Sequence, residues 1–331
     1  MTAIIEAHDV QRWYPLQSGL IDMLTRSEPK YVKAVDGVSF SVTKGQSLGI
    51  VGESGCGKST LGRVLLGLDE ATGGDVSFAG RKLSSLTSSE KQEFRRAAQM
   101  IFQDPTMSLN PRMTIGAALS EVLAVHDICP PQDRATKVAE LLDIVGLPPE
   151  TTSRLPRTLS GGQCQRIGIA RALALEPDVI IADEAVSALD VSIQAQVLNL
   201  FIELRRTRNL ALVFISHDLE VVRHVCDQVV VMYLGKIVEA GPVKDVFENP
   251  QHPYTQSLIA SVPRIDGPGL KSMKMLEGEP PSPLKRPEGC PFHPRCSHVM
   301  DQCKTGAFPE RRKHGETLFS CHLKAPANAG L

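Results

Sequence analysis

A glycine-rich loop between a predicted strand and a predicted helix constrains the fold of this chain more than any other feature. Residues 52–60 read Gly-Glu-Ser-Gly-Cys-Gly-Lys-Ser-Thr, with an apolar run at 47–51 before them and helical apolar spacing after them. Glycine lets the backbone curl until its N–H groups converge on a phosphate, and the helix that follows directs the positive end of its dipole there. Strand, loop and helix in this order are the context in which such a sequence binds nucleotide phosphates.

The residues of this phosphate loop (residues 52–60) have distinct expected roles. Lys58 is expected to reach the β- and γ-phosphates, and the Ser59 hydroxyl is expected to ligate Mg²⁺. The other loop positions expected to contact the nucleotide are Gly52, Ser54, Gly55, Cys56, Gly57 and Thr60. The predicted chemistry is therefore Mg²⁺-dependent binding of a nucleoside triphosphate.

Composition and charge exclude several classes of protein. The chain has 331 residues, with 36 Lys and Arg against 37 Asp and Glu, so it lacks the basic excess of a nucleic-acid-binding protein. No stretch approaches 18 consecutive apolar residues, and the first six residues do not resemble a signal peptide. We expect a cytosolic protein that reaches a membrane only through a partner. In that compartment the eight cysteines argue against a disulfide framework.

Hydrophobic periodicity predicts a doubly wound α/β core. Continuous apolar runs at 178–183 and 210–216, separated by a helical pattern at 193–206, are typical of buried parallel strands. Helical spacing dominates 105–175, which we expect to form a helical subdomain, with helices at 115–126, 135–145 and 163–174. Further strands are predicted at 4–10, 35–42, 99–103 and 229–234, and one within 73–80 between two turns. A further helix is predicted at 87–97, and a polar loop at 17–30.

The character of the sequence changes beyond Pro253. Prolines are dense between residues 262 and 295, and no long periodic element is evident there. This pattern predicts a linker that leads into a small irregular module. We therefore expect a nucleotide-binding domain over residues 1–257 and a C-terminal module over residues 258–331.

Two carboxylates follow the predicted strand at 178–183. Asp183 and Glu184 come at the end of that strand, where ligands of α/β sheets bind. Asp183 is suited to hold Mg²⁺, and Glu184 is suited to polarise an attacking water. A solvated turn would explain the pair alone, but a phosphate loop upstream favours the catalytic interpretation.

A second glycine pair opens a predicted helix at residues 159–166, which read Leu-Ser-Gly-Gly-Gln-Cys-Gln-Arg. A serine followed by two glycines predicts a helix N-terminus that is open to an anion. An ordinary helix cap would explain Ser160, but it would not explain Gly161, Gly162 and Gln163 as well.

Together these motifs resemble the nucleotide-binding subunit of an ATP-binding-cassette (ABC) transporter over about residues 1–255. The resemblance implies the ABC type of P-loop α/β core, and it implies ATP and Mg²⁺ as ligands. It assigns further residues by motif: the signature sequence at 159–163, the D-loop at 187–190 with Asp190, the switch residue His217, the glutamine-loop residue Gln103, and Tyr14 as the ring that stacks on adenine, with Trp13 as its alternative.

The resemblance also implies how these residues share the work. Glu184, His217 and Gln103 form the catalytic set, and Ser59, Gln103 and Asp183 hold Mg²⁺. The signature residues Ser160, Gly161, Gly162 and Gln163, with Asp190, would act on ATP bound to an opposing subunit, so that ATP joins two subunits and hydrolysis releases them.

The chain departs from the family pattern at two positions. Cys164 stands where arginine is common, and Ala185 stands where a proline usually follows the catalytic acid. Proline would fix φ at that position, so its absence predicts a less constrained Glu184. Because the carboxylate itself is present, hydrolysis is still expected.

Segments near both ends resemble one subfamily, the F-type ATPases of oligopeptide and dipeptide importers. They are residues 31–40, 249–258, 278–284 and 289–296. This resemblance implies a paralogous second ATPase, two transmembrane permease subunits and an external peptide-binding protein as partners, and no nucleic acid. It also implies a peripheral position at the cytoplasmic face of the inner or plasma membrane.

Four cysteines crowd into the predicted C-terminal module: Cys290, Cys296, Cys303 and Cys321. Four thiolates suit zinc or an iron–sulfur cluster, although the paired Cys-x-x-Cys spacing of many zinc modules is absent. A small proline-rich segment needs some such staple to fold. The family resemblance implies a 4Fe-4S cluster. The alternatives are free thiols, or ligation that involves His293, His298 or His314.

Three alternative functions stay open at this level. The chain could power import of another small solute, such as nickel or glutathione. It could be a soluble ABC protein that acts on DNA or ribosomes, although such proteins usually carry two cassettes or a long coiled coil. The cysteines and Ala185 also suit a redox sensor with vestigial ATPase activity.

Overall fold

The computed structural model describes residues 2–16, 30–104, 109–187, 189–262 and 278–323. Several predicted features lie wholly or partly outside the described residues: most of the polar loop at 17–30, the start of the helical region at 105–108, Ala188 of the D-loop, the linker at 263–277, and the end of the C-terminal module at 324–331.

The chain forms two compact units, each built from separate stretches of sequence. The first unit comprises Met1–Ile4, Val42–Ser47 and Phe78–Ile215. The second comprises Ile5–Ser41, Leu48–Ser77 and Ser216–Leu331.

The described residues contain twelve strands and nine α-helices. The strands are β1 (Ala3–Pro15), β2 (Tyr31–Thr43), β3 (Ser47–Val51), β4 (Gly73–Phe78), β5 (Arg81–Lys82), β6 (Ala98–Ile101), β7 (Val179–Asp183), β8 (Ala211–Ile215), β9 (Gln228–Tyr233), β10 (Lys236–Pro242), β11 (Arg312–His314) and β12 (Thr317–Phe319). The helices are α1 (Lys58–Leu65), α2 (Ser88–Ala97), α3 (Ile115–Val125), α4 (Arg134–Ile144), α5 (Gly161–Leu173), α6 (Val191–Arg208), α7 (Leu219–Val225), α8 (Val243–Glu248) and α9 (Pro253–Ala260).

A parallel sheet forms the core of the first unit. Strands β6, β7 and β8 lie side by side, with Ala98 opposite Val179 and Val179 opposite Ala211. Every residue of β7 and β8 is buried, which is why these strands are continuous apolar runs rather than alternating ones. Helix α6 covers the sheet, and the ring of Phe201 meets Phe214 edge-on with ring centroids 6.0 Å apart. The predicted central strands and their connecting helix are confirmed.

Three helices of the first unit, α3, α4 and α5, pack against one another. Thr114 caps α3 by accepting the N–H of Ala117, and the apolar face of α3 buries Ile115, Leu119 and Leu123 completely. The period of about four residues between buried positions is the one that the sequence pattern predicts. Both helices predicted at 115–126 and 135–145 are present within one residue of those limits.

In the second unit, β3 pairs in parallel with β9, and β9 pairs antiparallel with β10. Strands β2, β1 and β4 lie side by side in a separate sheet. The C-terminal segment (residues 278–323) contains short 3-10 turns at His293–Arg295 and Asp301–Cys303 and then forms the hairpin β11–β12. Strand β12 extends the sheet by pairing with β10, where Glu239 lies opposite Phe319. No helix among the described residues has both the length and the apolar character to cross a bilayer.

Candidate functional site

The phosphate loop leaves β3 and enters α1 through glycines that the backbone requires. Gly57 has φ 106°, and a Cβ there would lie 2.0 Å from the Ala34 carbonyl oxygen. Gly52 has φ 150°, and a Cβ there would lie 2.2 Å from the Met232 carbonyl oxygen. These close approaches exclude any side chain, so both glycines shape the loop whether or not a ligand is bound. Gly55, at φ 77°, has open space around it.

The loop also positions its lysine. Lys58 is only 5% exposed, and its Nζ donates to the carbonyl oxygens of Gly52 at 2.8 Å and Glu53 at 3.0 Å. The ammonium group is therefore held over the loop by the loop's own backbone. Among the other predicted positions, Cys56 is buried and Thr60 half-buried, whereas the solvent-accessible ones are Ser54, Gly55 and Ser59.

The two candidate adenine-stacking rings lie on adjacent residues of β1. The Tyr14 hydroxyl donates to Asp69 at 2.9 Å, and the Arg12 guanidinium lies 4.5 Å from the Tyr14 ring centroid. The Lys33 ammonium lies 4.1 Å from the Trp13 ring centroid. Each ring therefore carries a cation over one face. The choice of Tyr14 over Trp13 stays a prediction.

The predicted catalytic acid sits at a strained turn after β7. Asp183 is the last residue of that strand and is buried, and Glu184 follows with a left-handed φ of 48°. The Glu184 N–H donates to the Ile215 carbonyl oxygen at 2.9 Å, and the Glu184 carbonyl oxygen accepts from the N–H and the hydroxyl of Ser187. These three hydrogen bonds fix the backbone position of Glu184, and whether Ala185 leaves this residue less constrained than proline would stays a prediction. Positive φ in a non-glycine residue is costly and tends to mark functional sites.

Two of the three predicted catalytic residues meet within the first unit. The Gln103 amide nitrogen donates to the Glu184 carboxylate, with Nε2 and Oε2 3.1 Å apart. Gln103 lies two residues beyond the end of β6, next to the strand that ends at Asp183. The third residue, His217, belongs to the second unit, where it is exposed just after Ser216.

The glycines and polar residues of the signature sequence have local structural roles as well. Ser160 and Gln163 form a reciprocal capping box at the start of α5, with each side chain accepting the N–H of the other residue. A Cβ on Gly162 would lie 2.4 Å from the Ile193 side chain, so Gly162 permits close packing against α6. Gly161 alone faces open space. A cap therefore explains more of this motif than the sequence suggests, and Gly161 is the position left for close approach by a ligand.

Two other residues singled out in the sequence, Asp190 and Cys164, lie at the start of α6 and within α5. Asp190 is the N-cap residue of α6, although its side chain makes no capping hydrogen bond. Cys164, the departure from the family pattern, is buried in α5, and its thiol donates to the Pro156 carbonyl oxygen at 3.6 Å. The small cysteine side chain therefore fits this buried position without strain.

All four late cysteines line a single pocket in the second unit. Cys290, Cys303 and Cys321 are buried, and burial raises the pKa of the Cys290 thiol to about 12. Burial likewise raises the pKa values of Cys296 and Cys321. Within the described ranges, however, no three His, Cys, Asp or Glu side chains are arranged to hold one metal ion. His293 and His298 also line the pocket, whereas His314 lies on β11.

Sequence reasoning missed one further residue of this pocket, His252. It is 1% exposed, and its Nδ1 accepts the Tyr254 N–H at 3.0 Å. Burial lowers the pKa of His252 to about 3, so the ring is neutral, and the accepting role of Nδ1 leaves the proton on Nε2. This Nε2 is buried without a hydrogen-bond partner. The sequence signal was present, because His252 lies inside the segment at 249–258 that resembles importer ATPases.

Family models match two parts of the chain. The model "ABC transporter" matches residues 35–187, and the model "Oligopeptide/dipeptide transporter, C-terminal region" matches residues 238–303. The first match contains the phosphate loop and the Asp183–Glu184 pair. The second contains three of the four pocket cysteines.

Several characterised proteins are similar over most of the chain. The oligopeptide transport ATP-binding protein AppF of Bacillus subtilis is 49% identical over 324 residues, which cover 97% of each chain. The dipeptide transport ATP-binding protein DppF of Escherichia coli is 44% identical over 318 residues, covering 96% of this chain and 93% of its own. The glutathione import ATP-binding protein GsiA of Pectobacterium atrosepticum is 50% identical over 284 residues, which span 85% of this chain but 45% of GsiA.

Solved structures agree with these matches. The ATP-binding cassette MJ0796, a dimer in a post-hydrolysis state with ADP and Pi, has a TM-score of 0.63 and 26% identity. The likeness covers 72% of this chain and 98% of that cassette. The predicted P-loop α/β fold of ABC type is confirmed. On this evidence the chain belongs to the family of ATP-binding proteins of ABC transporters, in the group with the oligopeptide/dipeptide transporter C-terminal region.

Proposed function

We propose that this chain hydrolyses ATP to drive the import of dipeptides or oligopeptides through a membrane permease. The observation that carries the proposal is the 49% identity with an oligopeptide transport ATP-binding protein over 97% of both chains. The geometry of the phosphate loop and the contact between Gln103 and Glu184 support the ATPase part independently.

Each site residue has a role in this reaction. The phosphate loop N–H groups and Lys58 bind the phosphates, while the adenine stacks on Tyr14. Ser59, Gln103 and Asp183 would hold Mg²⁺, whose charge would offset the negative charge that builds up as ADP leaves the γ-phosphorus. Glu184 accepts a hydrogen bond from the attacking water and orients its lone pair toward the γ-phosphorus. His217 donates to a γ-phosphate oxygen.

The reaction needs a second ATPase subunit, which we propose to be a paralogue of this chain. Its signature residues would complete the site on this chain, and this chain's Ser160, Gly161, Gly162 and Gln163, with Asp190, would complete the partner's site. The exposed N-terminus of α5 and the open space around Gly161 support this arrangement. The relative MJ0796 is itself a dimer.

The proposal extends to domain layout and location. We propose that residues 1–257 form the nucleotide-binding domain, with a helical subdomain at about 105–175, and that residues 258–331 form the C-terminal module. The protein would sit at the cytoplasmic face of the inner or plasma membrane, bound to two permease subunits. An external peptide-binding protein would deliver solute to the permease, and nucleic acid plays no part.

We further propose that Cys290, Cys296, Cys303 and Cys321 hold a 4Fe-4S cluster. Four thiols around one pocket support this, as does the partnerless N–H of His252 in the pocket wall, because sulfur atoms of a cluster accept such hydrogen bonds. A zinc ion on the same thiolates is the alternative. Such a cluster can carry one electron, and its bonds to the thiolates would staple the segment. Iron and sulfide analysis of anaerobically purified protein tests this directly.

A second candidate solute is glutathione, because GsiA is 50% identical over 85% of this chain. The test is purification of the native membrane complex, followed by measurement of its ATPase rate with each solute and its binding protein. We expect permease subunits to co-purify and dipeptides or oligopeptides to stimulate hydrolysis. Stimulation by glutathione alone would select the second candidate. Recovery with ribosomes or DNA and no permease would exclude both.

A further inference from the structure

One residue of the phosphate loop, Glu53, is held by contacts at its carbonyl oxygen, its N–H and its carboxylate. Its carbonyl oxygen accepts from Lys58 Nζ at 3.0 Å. Its N–H donates to the Tyr254 hydroxyl at 2.9 Å. Its carboxylate makes a two-pronged ion pair with Arg295, with distances of 2.7 Å and 3.0 Å. Two of these three contacts come from residues more than 200 positions away in the sequence, and Arg295 belongs to the C-terminal segment.

The ion pair is well protected from water. The Arg295 side chain is 5% exposed and that of Glu53 is 23% exposed. A guanidinium that engages both oxygens of a carboxylate fixes its orientation as well as its position. Arg295 also lies 3.4 Å from the Tyr233 hydroxyl, and its hydrogen bonds with Glu53 raise its pKa.

Aromatic packing holds Arg295 in place. Arg295 ends a short 3-10 turn, His293–Arg295, that directly follows Phe292. Phe292 is fully buried, and its ring centroid lies 5.4 Å from that of Tyr233 and 5.3 Å from that of Tyr254. The next residue after the turn is Cys296, so the same few residues connect the cysteine pocket to the phosphate loop.

We propose that Arg295 is a positioning residue of the ATP site: by holding Glu53, it fixes the backbone to which Lys58 is anchored and keeps the Glu53 carboxylate away from the bound phosphates. This inference rests on the proposed ATPase function. It makes the C-terminal segment part of the nucleotide site, whereas the motifs alone place that site in residues 1–255.

Loss of Arg295 would act in two ways. The loop would lose its firmest side-chain tether, so the Lys58 anchor would loosen. The released Glu53 carboxylate would also become an unpaired negative charge within the phosphate loop, where it would repel phosphate and compete for Lys58. The second effect disappears when Glu53 is neutral. Neutralising Glu53 should therefore restore part of the affinity that is lost with Arg295.

The test is binding of MgATP by the full-length chain, measured at equilibrium under conditions without turnover. We expect Arg295→Gln to weaken binding about tenfold, Arg295→Lys to weaken it less because one hydrogen bond survives, and Glu53→Gln to weaken it about twofold. The double variant should bind more tightly than Arg295→Gln alone. A purely structural role would make the two losses add or worsen, so this partial rescue identifies the coupling.

Arg286 provides a matched control. It lies on the same C-terminal segment and pairs with the partly buried Asp36 at 2.7 Å, not with a residue of the phosphate loop. Arg286→Gln should lower thermal stability to a similar extent, yet leave the MgATP affinity within about twofold of wild type. In the assembled transporter, Arg295→Gln should raise KM for ATP with little change in kcat, since the lost contact supports binding in the ground state and transition state alike.

The outcomes separate this inference from the proposed function. If wild type binds no MgATP, or if Lys58→Ala binds as well as wild type, the ATPase proposal fails. If wild type binds and Lys58→Ala does not, the ATPase proposal stands and the Arg295 variants decide the inference. Unchanged affinity in Arg295→Gln, an equal loss in Arg286→Gln, or no rescue by Glu53→Gln would each overturn it.

Discussion

The replacement Phe292→Ala tests whether the C-terminal segment is a packed part of the molecule. Phe292 is 1% exposed and contacts three rings, with centroid separations of 5.3 Å to Tyr254, 5.4 Å to Tyr233 and 5.9 Å to His252. Truncation of a buried phenylalanine typically costs about 3–5 kcal/mol. Because Phe292 also lines the cysteine pocket, the void can partly relax, so we expect about 3 kcal/mol.

The loss should be local, which determines the assay. A chain with two compact units need not unfold in one step, so hydrogen exchange of the amides in residues 289–303 is the better measure. We expect their free energy of opening to fall by about 3 kcal/mol, roughly a 150-fold faster exchange. Leu284→Ala is the control, because Leu284 is on the same segment but 56% exposed, and it should change exchange by less than about 0.5 kcal/mol. Equal exchange in Phe292→Ala and Leu284→Ala would refute the packing argument.

Three further predictions concern the site and its support. Glu184→Gln should lower the rate of ATP hydrolysis by about a thousandfold while MgATP binding is retained. Phosphate release measures the first quantity and equilibrium binding the second. An undiminished hydrolysis rate would show that Glu184 does not act on the attacking water. Gly57→Ala should abolish MgATP binding, because a Cβ would lie 2.0 Å from the Ala34 carbonyl oxygen. A Cβ at Gly55 meets open space, so Gly55→Ala should cost only about 1 kcal/mol of stability. Equal effects of the two substitutions would contradict the steric argument. Burial raises the pKa of Glu239 from 4.5 to about 7. Between these two pH values the folded protein holds a proton on Glu239 that the unfolded chain releases. The protonated carboxyl therefore stabilises the fold fully below pH 4.5, and this contribution is lost as pH rises through 7. The difference in unfolding free energy between wild type and Glu239→Gln should therefore shrink by about 3 kcal/mol from pH 4.5 to 8, and a flat difference would show that Glu239 is ionised throughout.

The sequence predicted those parts of the fold in which local pattern and burial agree. The runs that form β7 and β8 are apolar because both faces of these strands are covered, so their pattern identifies them directly. The hairpin β11–β12 could not be found in this way, because Arg312–His314 and Thr317–Phe319 are too short and too polar to show a period. Pairing of β12 with β10 determines their conformation, and that pairing is a tertiary contact.

The candidate site shows the same division. The roles of Lys58, Asp183 and Glu184 could be predicted because each residue lies in a motif of a few consecutive residues. The tether of Glu53 by Arg295 joins residues 242 positions apart, and nothing in either local sequence indicates the other. In the signature sequence, Gln163 also serves the helix cap and Gly162 permits packing against Ile193, two roles that depend on the fold.

Peptide uptake by vesicles that contain the native transporter complex tests the central claim most directly. With the peptide-binding protein on one side and MgATP on the side of this chain, labelled peptide should accumulate against its gradient, and accumulation should cease when this chain carries Glu184→Gln. Peptide accumulation that continues at the wild-type rate with Glu184→Gln, or that needs no ATP, would contradict the account.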